Sequence, residues 1–90
     1  MMPASFTLYS RDYCHLCHDM IDALESAQQM RRFEFKVVDV DASPELEARF
    51  GERVPLLMDG EREIFHYHFD EALLDAALQH REQDHPAKMA

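Results

Sequence analysis

Apolar positions recur along the chain with two periods, and the switches between them mark out its elements. Phe6-Thr7-Leu8-Tyr9 is β-prone and apolar on both faces, as suits a short strand inside a helix-covered sheet. From Leu16 the spacing changes. Leu16, Met20 and Leu24, with Ile21, Ala23 and Ala27, recur at three and four residues and predict an amphipathic helix to about Met30. Arg31 and Arg32 follow, placed to complement the dipole at its C-terminal end. Phe33, Phe35 and Val37 then alternate with Glu34 and Lys36 ahead of Val38-Asp39-Val40, which reads as a second strand. Two strands joined through a helix are expected to lie parallel, with a right-handed crossover.

Beyond residue 42 the pattern is shorter. Ser43 is a good N-cap, Pro44 fits the first helical position, Leu46 and Phe50 share a face, and Gly51 suits a left-handed C-terminal cap. Pro55-Leu56-Leu57-Met58 and Arg62-Glu63-Ile64-Phe65-His66-Tyr67 flank Asp59-Gly60, which predicts an antiparallel hairpin. Asp70 can cap a last helix carrying Leu73, Leu74, Ala77 and Leu78. Residues 83–90 have neither periodicity nor core residues, so residues 1–80 are expected to form the domain and 81–90 a flexible tail. The order is βαβαββα. It predicts an α/β fold with a four-stranded mixed sheet in order 2-1-3-4, the first and third helices on one face and the second on the other.

Ninety residues suffice for one modest core and not for two. A hydrophobic share of 47% with six Phe and three Tyr is that of a globular protein, and no apolar run is long enough to span a membrane. A formal net charge of −9 repels phosphate backbones and anionic lipid surfaces, so neither nucleic acid nor membrane is expected as a partner. The first residues, Met1-Met2-Pro3-Ala4-Ser5, lack a basic region followed by an apolar one; a cytoplasmic monomer is expected.

The only two cysteines stand in Tyr13-Cys14-His15-Leu16-Cys17-His18, between the first strand and the first helix. A thiol becomes a nucleophile by losing its proton, and the unpaired N–H groups of a helix N-terminus favour the thiolate. Cys14 would sit at that end. Cys17, one turn on, is close enough to attack a mixed disulfide formed at Cys14 and release the substrate. The spacing alone admits two other chemistries: half of a zinc site completed by His80 and His85, or, with His18, a c-type haem attachment sequence with Met58 as an axial ligand. A cysteine pair in a reducing compartment points to chemistry rather than to a structural staple.

Several further stretches carry a resemblance. Thr7-Leu8-Tyr9-Ser10-Arg11 before Cys14-His15-Leu16-Cys17, then Val38-Asp39-Val40-Asp41, Gly51-Glu52-Arg53-Val54-Pro55 and Asp59-Gly60 make the chain similar, over nearly residues 6 to 80, to the short bacterial glutaredoxin-like proteins of the thioredoxin superfamily. The resemblance implies a thioredoxin-like, glutaredoxin-type fold and a thiol–disulfide oxidoreductase. It also implies a cis Val54–Pro55 bond beside the cysteines. Arg11 is then either a surface charge or a contact for the thiolate or a substrate carboxylate, and Val54 would pair its backbone with the substrate besides forming a rigid turn. Tyr13, by its place before Cys14, either shields that cysteine or packs on the loop. No metal or organic cofactor is implied; the partner would be a disulfide-containing protein or a small thiol.

Two departures stand out. His15 and Leu16 replace the Pro-Tyr or Gly-Pro commonly found between such cysteines, and a protonated His15 would make the pair more oxidising whereas a neutral, solvent-facing one would do little. His66-Tyr67-His68-Phe69-Asp70 stands where glutaredoxins usually carry Gly-Gly before a helix that binds glutathione. Asp70 and the helix start remain, yet weak or absent glutathione specificity is expected, with glutathione as a reductant or co-substrate only. The other function class is a non-enzymatic binding module with a regulatory disulfide.

Overall fold

In the computed structural model, which describes residues 4–83, the first strand lies inside the sheet. This strand, β1 (Ala4–Ser10), pairs in parallel with β2 (Phe33–Asp39), from Ala4 opposite Phe33 to Ser10 opposite Asp39. Its other edge pairs antiparallel with β3 (Leu56–Asp59), which in turn pairs antiparallel with β4 (Arg62–His66). With α1 (His15–Ala27), α2 (Pro44–Phe50) and α3 (Glu71–Gln83), the order is βαβαββα and the sheet order is 2-1-3-4, as the pattern predicts.

Side chains alternate across β1, so each face of the sheet has its own core. Phe6, Leu8 and Leu57 join Met20, Leu24 and Ala27 of α1 and Leu74 of α3 on one face. On the other, Leu56 and Met58 pack with Val40 and Phe50, and Tyr9 and Leu46 close around them. α1 and α3 therefore cover one side and α2 the other. A bulge shifts the β3–β4 register between Leu57 and Met58: Leu57 faces Phe65 while Met58 faces Glu63. Ile64 is the extra residue, and the kink lets both Ile64 and Phe65 reach the α1–α3 core.

Four boundaries differ from the sequence expectation. α1 ends at Ala27, and residues 28–30 continue as a tight turn in which Met30 N–H and Arg31 N–H both donate to Ala27 O, at 3.1 and 3.0 Å. Arg31 turns away from that helix end and pairs with Glu71 and Asp75 of α3, joining two helices that pack on the same face. Gly51 is not left-handed; its φ is −57°, and the chain runs on into a 3₁₀ turn over Gly51–Arg53. The hairpin loop is Gly60-Glu61 rather than Asp59-Gly60, because Asp59 still pairs with Arg62; Gly60, with φ +63°, takes the first loop position, where a II′ turn needs a positive angle. α3 also continues three residues past the expected domain limit, and the rest of the expected tail, 84–90, lies outside the described residues.

Candidate functional site

Where β1 ends, Arg11, Asp12 and Tyr13 carry the chain to α1, and Cys14 caps that helix. Its backbone is extended, with φ −96° and ψ 110°, and its Sγ accepts the Cys17 N–H at 3.1 Å. A sulfur in this position occupies the place of an N-cap oxygen, at the positive end of a helix thirteen residues long. In the reduced protein the same N–H and helix end favour negative charge on Cys14 over Cys17.

The two cysteines are joined as a disulfide with a Cα–Cα separation of 5.1 Å. Cys14 is half-buried, whereas Cys17 is 1% exposed. An incoming disulfide therefore meets Cys14 first. The loop is held from behind: Cys14 N–H donates to Arg11 O at 3.2 Å, and His18 Nε2 donates to Asp12 O at 2.8 Å, which fixes the proton on that nitrogen. His15 opens α1 in an exposed position.

Arg11 is drawn into contacts that neither of its two expected readings includes. Its side chain is 16% exposed, and its guanidinium donates to Glu47 at 2.8 Å, Gly51 O at 3.1 Å, Asp41 at 3.3 Å and the Tyr13 hydroxyl at 2.8 Å. The bond to Glu47 first, and that to Tyr13 next, raise its pKa further. Instead of reaching toward a thiolate or substrate carboxylate, Arg11 ties the cysteine loop to the segment that leads into Val54. Tyr13, anchored by its hydroxyl, leaves its ring 76% exposed beside Cys14.

The Val54–Pro55 peptide is cis. Extending the β1–β3 and β3–β4 registers by one residue sets Ser10, Pro55 and Tyr67 side by side, so this loop borders the strand that delivers Cys14. Val54 is extended, with φ −71° and ψ 143°, a conformation suited to backbone pairing. Asp70 caps α3 through Leu73 N–H at 3.0 Å, so one donor at that helix start already holds a carboxylate.

Sequence reasoning missed Tyr67. It has φ +68°, and His68 N–H donates across it to His66 O at 2.8 Å, a strained γ-turn of the positive-φ kind. Such a residue costs on the order of 1–3 kcal/mol unless its surroundings fix it. Here they do: Tyr67 N–H donates to Pro55 O at 2.8 Å and its hydroxyl donates to Glu52 O at 2.6 Å. Nothing in the local sequence signals these long-range bonds; the only clue was the absence of glycine.

Next to it, His66 Nδ1 meets Glu63, which also accepts from Arg53 at 2.6 Å; these partners, His66 foremost, hold the Glu63 carboxyl below its ordinary range. Among the described residues no group of three or more His, Cys, Asp or Glu is arranged to hold a metal ion; His85, invoked for a zinc site, lies outside them. No helix among the described residues is long and apolar enough to cross a membrane.

Comparison with known proteins places this geometry in context. Residues 5–79 match the family described as glutaredoxin-like domain (DUF836). The glutaredoxin-like protein NrdH of Salmonella typhimurium is 36% identical over 61 residues, covering 63% of this chain and 70% of that protein. A solution structure of a protein from Nitrosomonas europaea is similar at 32% identity and a TM-score of 0.76, covering 87% of this chain and 94% of that one. An X-ray structure of a protein from X. campestris is 39% identical with a TM-score of 0.65, over 83% of this chain and 96% of that one.

Proposed function

The chain belongs to the glutaredoxin-like domain family, and from that premise we propose that it reduces or exchanges disulfides through Cys14 and Cys17. Cys14 thiolate attacks one sulfur of a substrate disulfide; a Cys14–substrate bond forms and the other substrate sulfur leaves as thiolate. Cys17, having lost its proton, then attacks Cys14 Sγ and displaces the second substrate thiolate. Two electrons have passed from the dithiol to the substrate, and the intramolecular disulfide remains until an external thiol reductant restores it.

The observation that carries this reading is the cysteine pair itself: a half-buried Cys14 whose sulfur accepts the helix-terminal N–H of a buried Cys17. No resident cofactor enters the scheme. The substrate is a disulfide-containing protein or a small disulfide, in a reducing compartment such as the cytoplasm, and the protein acts as a monomer. A binding module with a regulatory disulfide would share the geometry but not turn over.

Trapping distinguishes the two. Cys17→Ser is expected to accumulate a mixed disulfide through Cys14, while Cys14→Ser accumulates none, read by mass spectrometry under non-reducing conditions. Full reductase turnover by both variants would overturn the mechanism. Glutathione specificity is expected to be weak, since Arg11 is engaged by Glu47 and Asp41, and Tyr67 stands where a glycine pair is usual. Turnover of a glutathionylated peptide beside an unrelated disulfide of similar potential should show no large preference; a large one, abolished by Arg11→Ala, would show the opposite.

A further inference from the structure

Among the described residues, Tyr67 alone takes a positive φ without being glycine. An aromatic residue gains nothing from that angle, so the reason must lie in what the angle lets it reach. The γ-turn ends β4 abruptly and points the chain toward Asp70, while the Tyr67 side chain reaches the 3₁₀ turn of Gly51–Arg53. Its backbone N–H holds Pro55 O, and its hydroxyl holds Glu52 O. Two bonds thus bracket Arg53 and Val54, one on either side. From the opposite direction Arg11 grips Gly51 O and Glu47. The ring itself is 42% exposed, at the same end of the sheet as the cysteine loop.

We propose that Tyr67 is a positioning residue for disulfide exchange, a latch that fixes the Val54 backbone in the extended form that pairs with a peptide substrate. The proposal rests on the dithiol reading above and adds its substrate class: disulfides carried on extended polypeptide, which use the Val54 edge, rather than compact disulfides that meet Cys14 alone. Main-chain pairing of this kind depends on a rigid template, because a loop that must order on binding loses affinity. Tyr67 supplies that rigidity from a neighbouring strand.

Tyr67→Phe removes only the hydroxyl bond. With dithiothreitol as reductant, it is expected to raise KM for a peptide disulfide with extended flanks about fivefold, the factor that a net hydrogen-bond contribution of about 1 kcal/mol converts to, with kcat unchanged. Turnover of bis(2-hydroxyethyl) disulfide, which has no backbone to pair, should stay at the wild-type value. Amide hydrogen exchange at Arg53 and Val54 should quicken in the same variant. Tyr67→Gly, which accepts a positive φ without strain, should show the same loosening and the same KM shift, so the outcome does not depend on whether the Phe variant folds. An unchanged peptide KM in both variants, an equal effect on both disulfides, or unaltered exchange at Arg53 and Val54 would overturn the latch. Wild-type protein that turns over neither disulfide would instead overturn the dithiol reading.

Discussion

Gly51 shows how one missing side chain shapes the frame of the site. Its φ of −57° is open to any residue, so conformational freedom is not why glycine fits there. A Cβ at this position would collide with the Glu47 carboxylate and come within 2.6 Å of Arg11 Nη2. Both are the far ends of flexible side chains, so the fold can yield while the pair cannot stay. Gly51→Ala is therefore expected to change global stability by less than about 1 kcal/mol, since alanine also restricts the unfolded chain. The same variant should shift the Tyr13 ring resonances, because Arg11 must leave the Tyr13 hydroxyl as it leaves Glu47. A double-mutant cycle of Arg11→Ala with Glu47→Gln, run in both backgrounds, checks this: coupling between the two should be lost when residue 51 is alanine.

In α3, Leu73 and Leu74 are neighbours in one apolar stripe, yet the packing separates them. Leu74 is fully buried against Phe6, Leu24 and Phe65, whereas Leu73 is 45% exposed. Leu74→Ala should cost about 2–5 kcal/mol, transfer and cavity terms together, a large part of the stability of a domain this small. Leu73→Ala should cost less than about 1 kcal/mol. Urea midpoints at constant slope measure both. The bulge in β4 has a related effect on the opposite side of that core: by turning Ile64 and Phe65 to one face, it covers the end of the sheet that a strictly alternating strand would leave to a single apolar residue.

Across the whole molecule, acidic groups outnumber basic ones, and the ion-paired arginines of the described residues bridge distant elements. Arg31 joins the end of α1 to α3, and Arg53 joins the turn before Val54 to β4. Hydrogen bonding to Arg31 lowers the Asp75 pKa, and bonding to His66 and then Arg53 lowers that of Glu63. A carboxylate with a depressed folded-state pKa binds fewer protons than its unfolded counterpart, so its contribution is present above the unfolded value of about 4 and is lost as pH falls through the lower folded value. The urea midpoint should thus be steady from pH 7 to about 5 and decline below about 4. Glu63→Gln should flatten part of that decline. A Glu63→Gln protein with the wild-type acid slope would show that the pairs of Glu63 with His66 and Arg53 contribute nothing to it.

The periodicities of Phe6 to Tyr9, Leu16 to Ala27 and Phe33 to Val37 were enough to establish the elements, their order and the place of Cys14 at a helix start, because each depends on contacts within a few residues. Two of the three strand pairings were legible for the same reason: a helical crossover dictates parallel neighbours and a two-residue loop antiparallel ones, whereas the β1–β3 pairing that joins the two halves follows from neither connection. What the tertiary structure alone decided lies in bonds between residues far apart in sequence. Arg11 reads from the sequence as a surface charge or a substrate contact, and only the fold brings Glu47 and Gly51 to it; Tyr67 reads as the end of a strand, and only the fold brings Glu52 and Pro55 within its reach. Local pattern specifies which backbone state is favoured; it carries no record of which distant carbonyl or carboxylate will stand opposite a given donor, and that pairing sets both the strained angle at Tyr67 and the rigidity of the loop beside the cysteines.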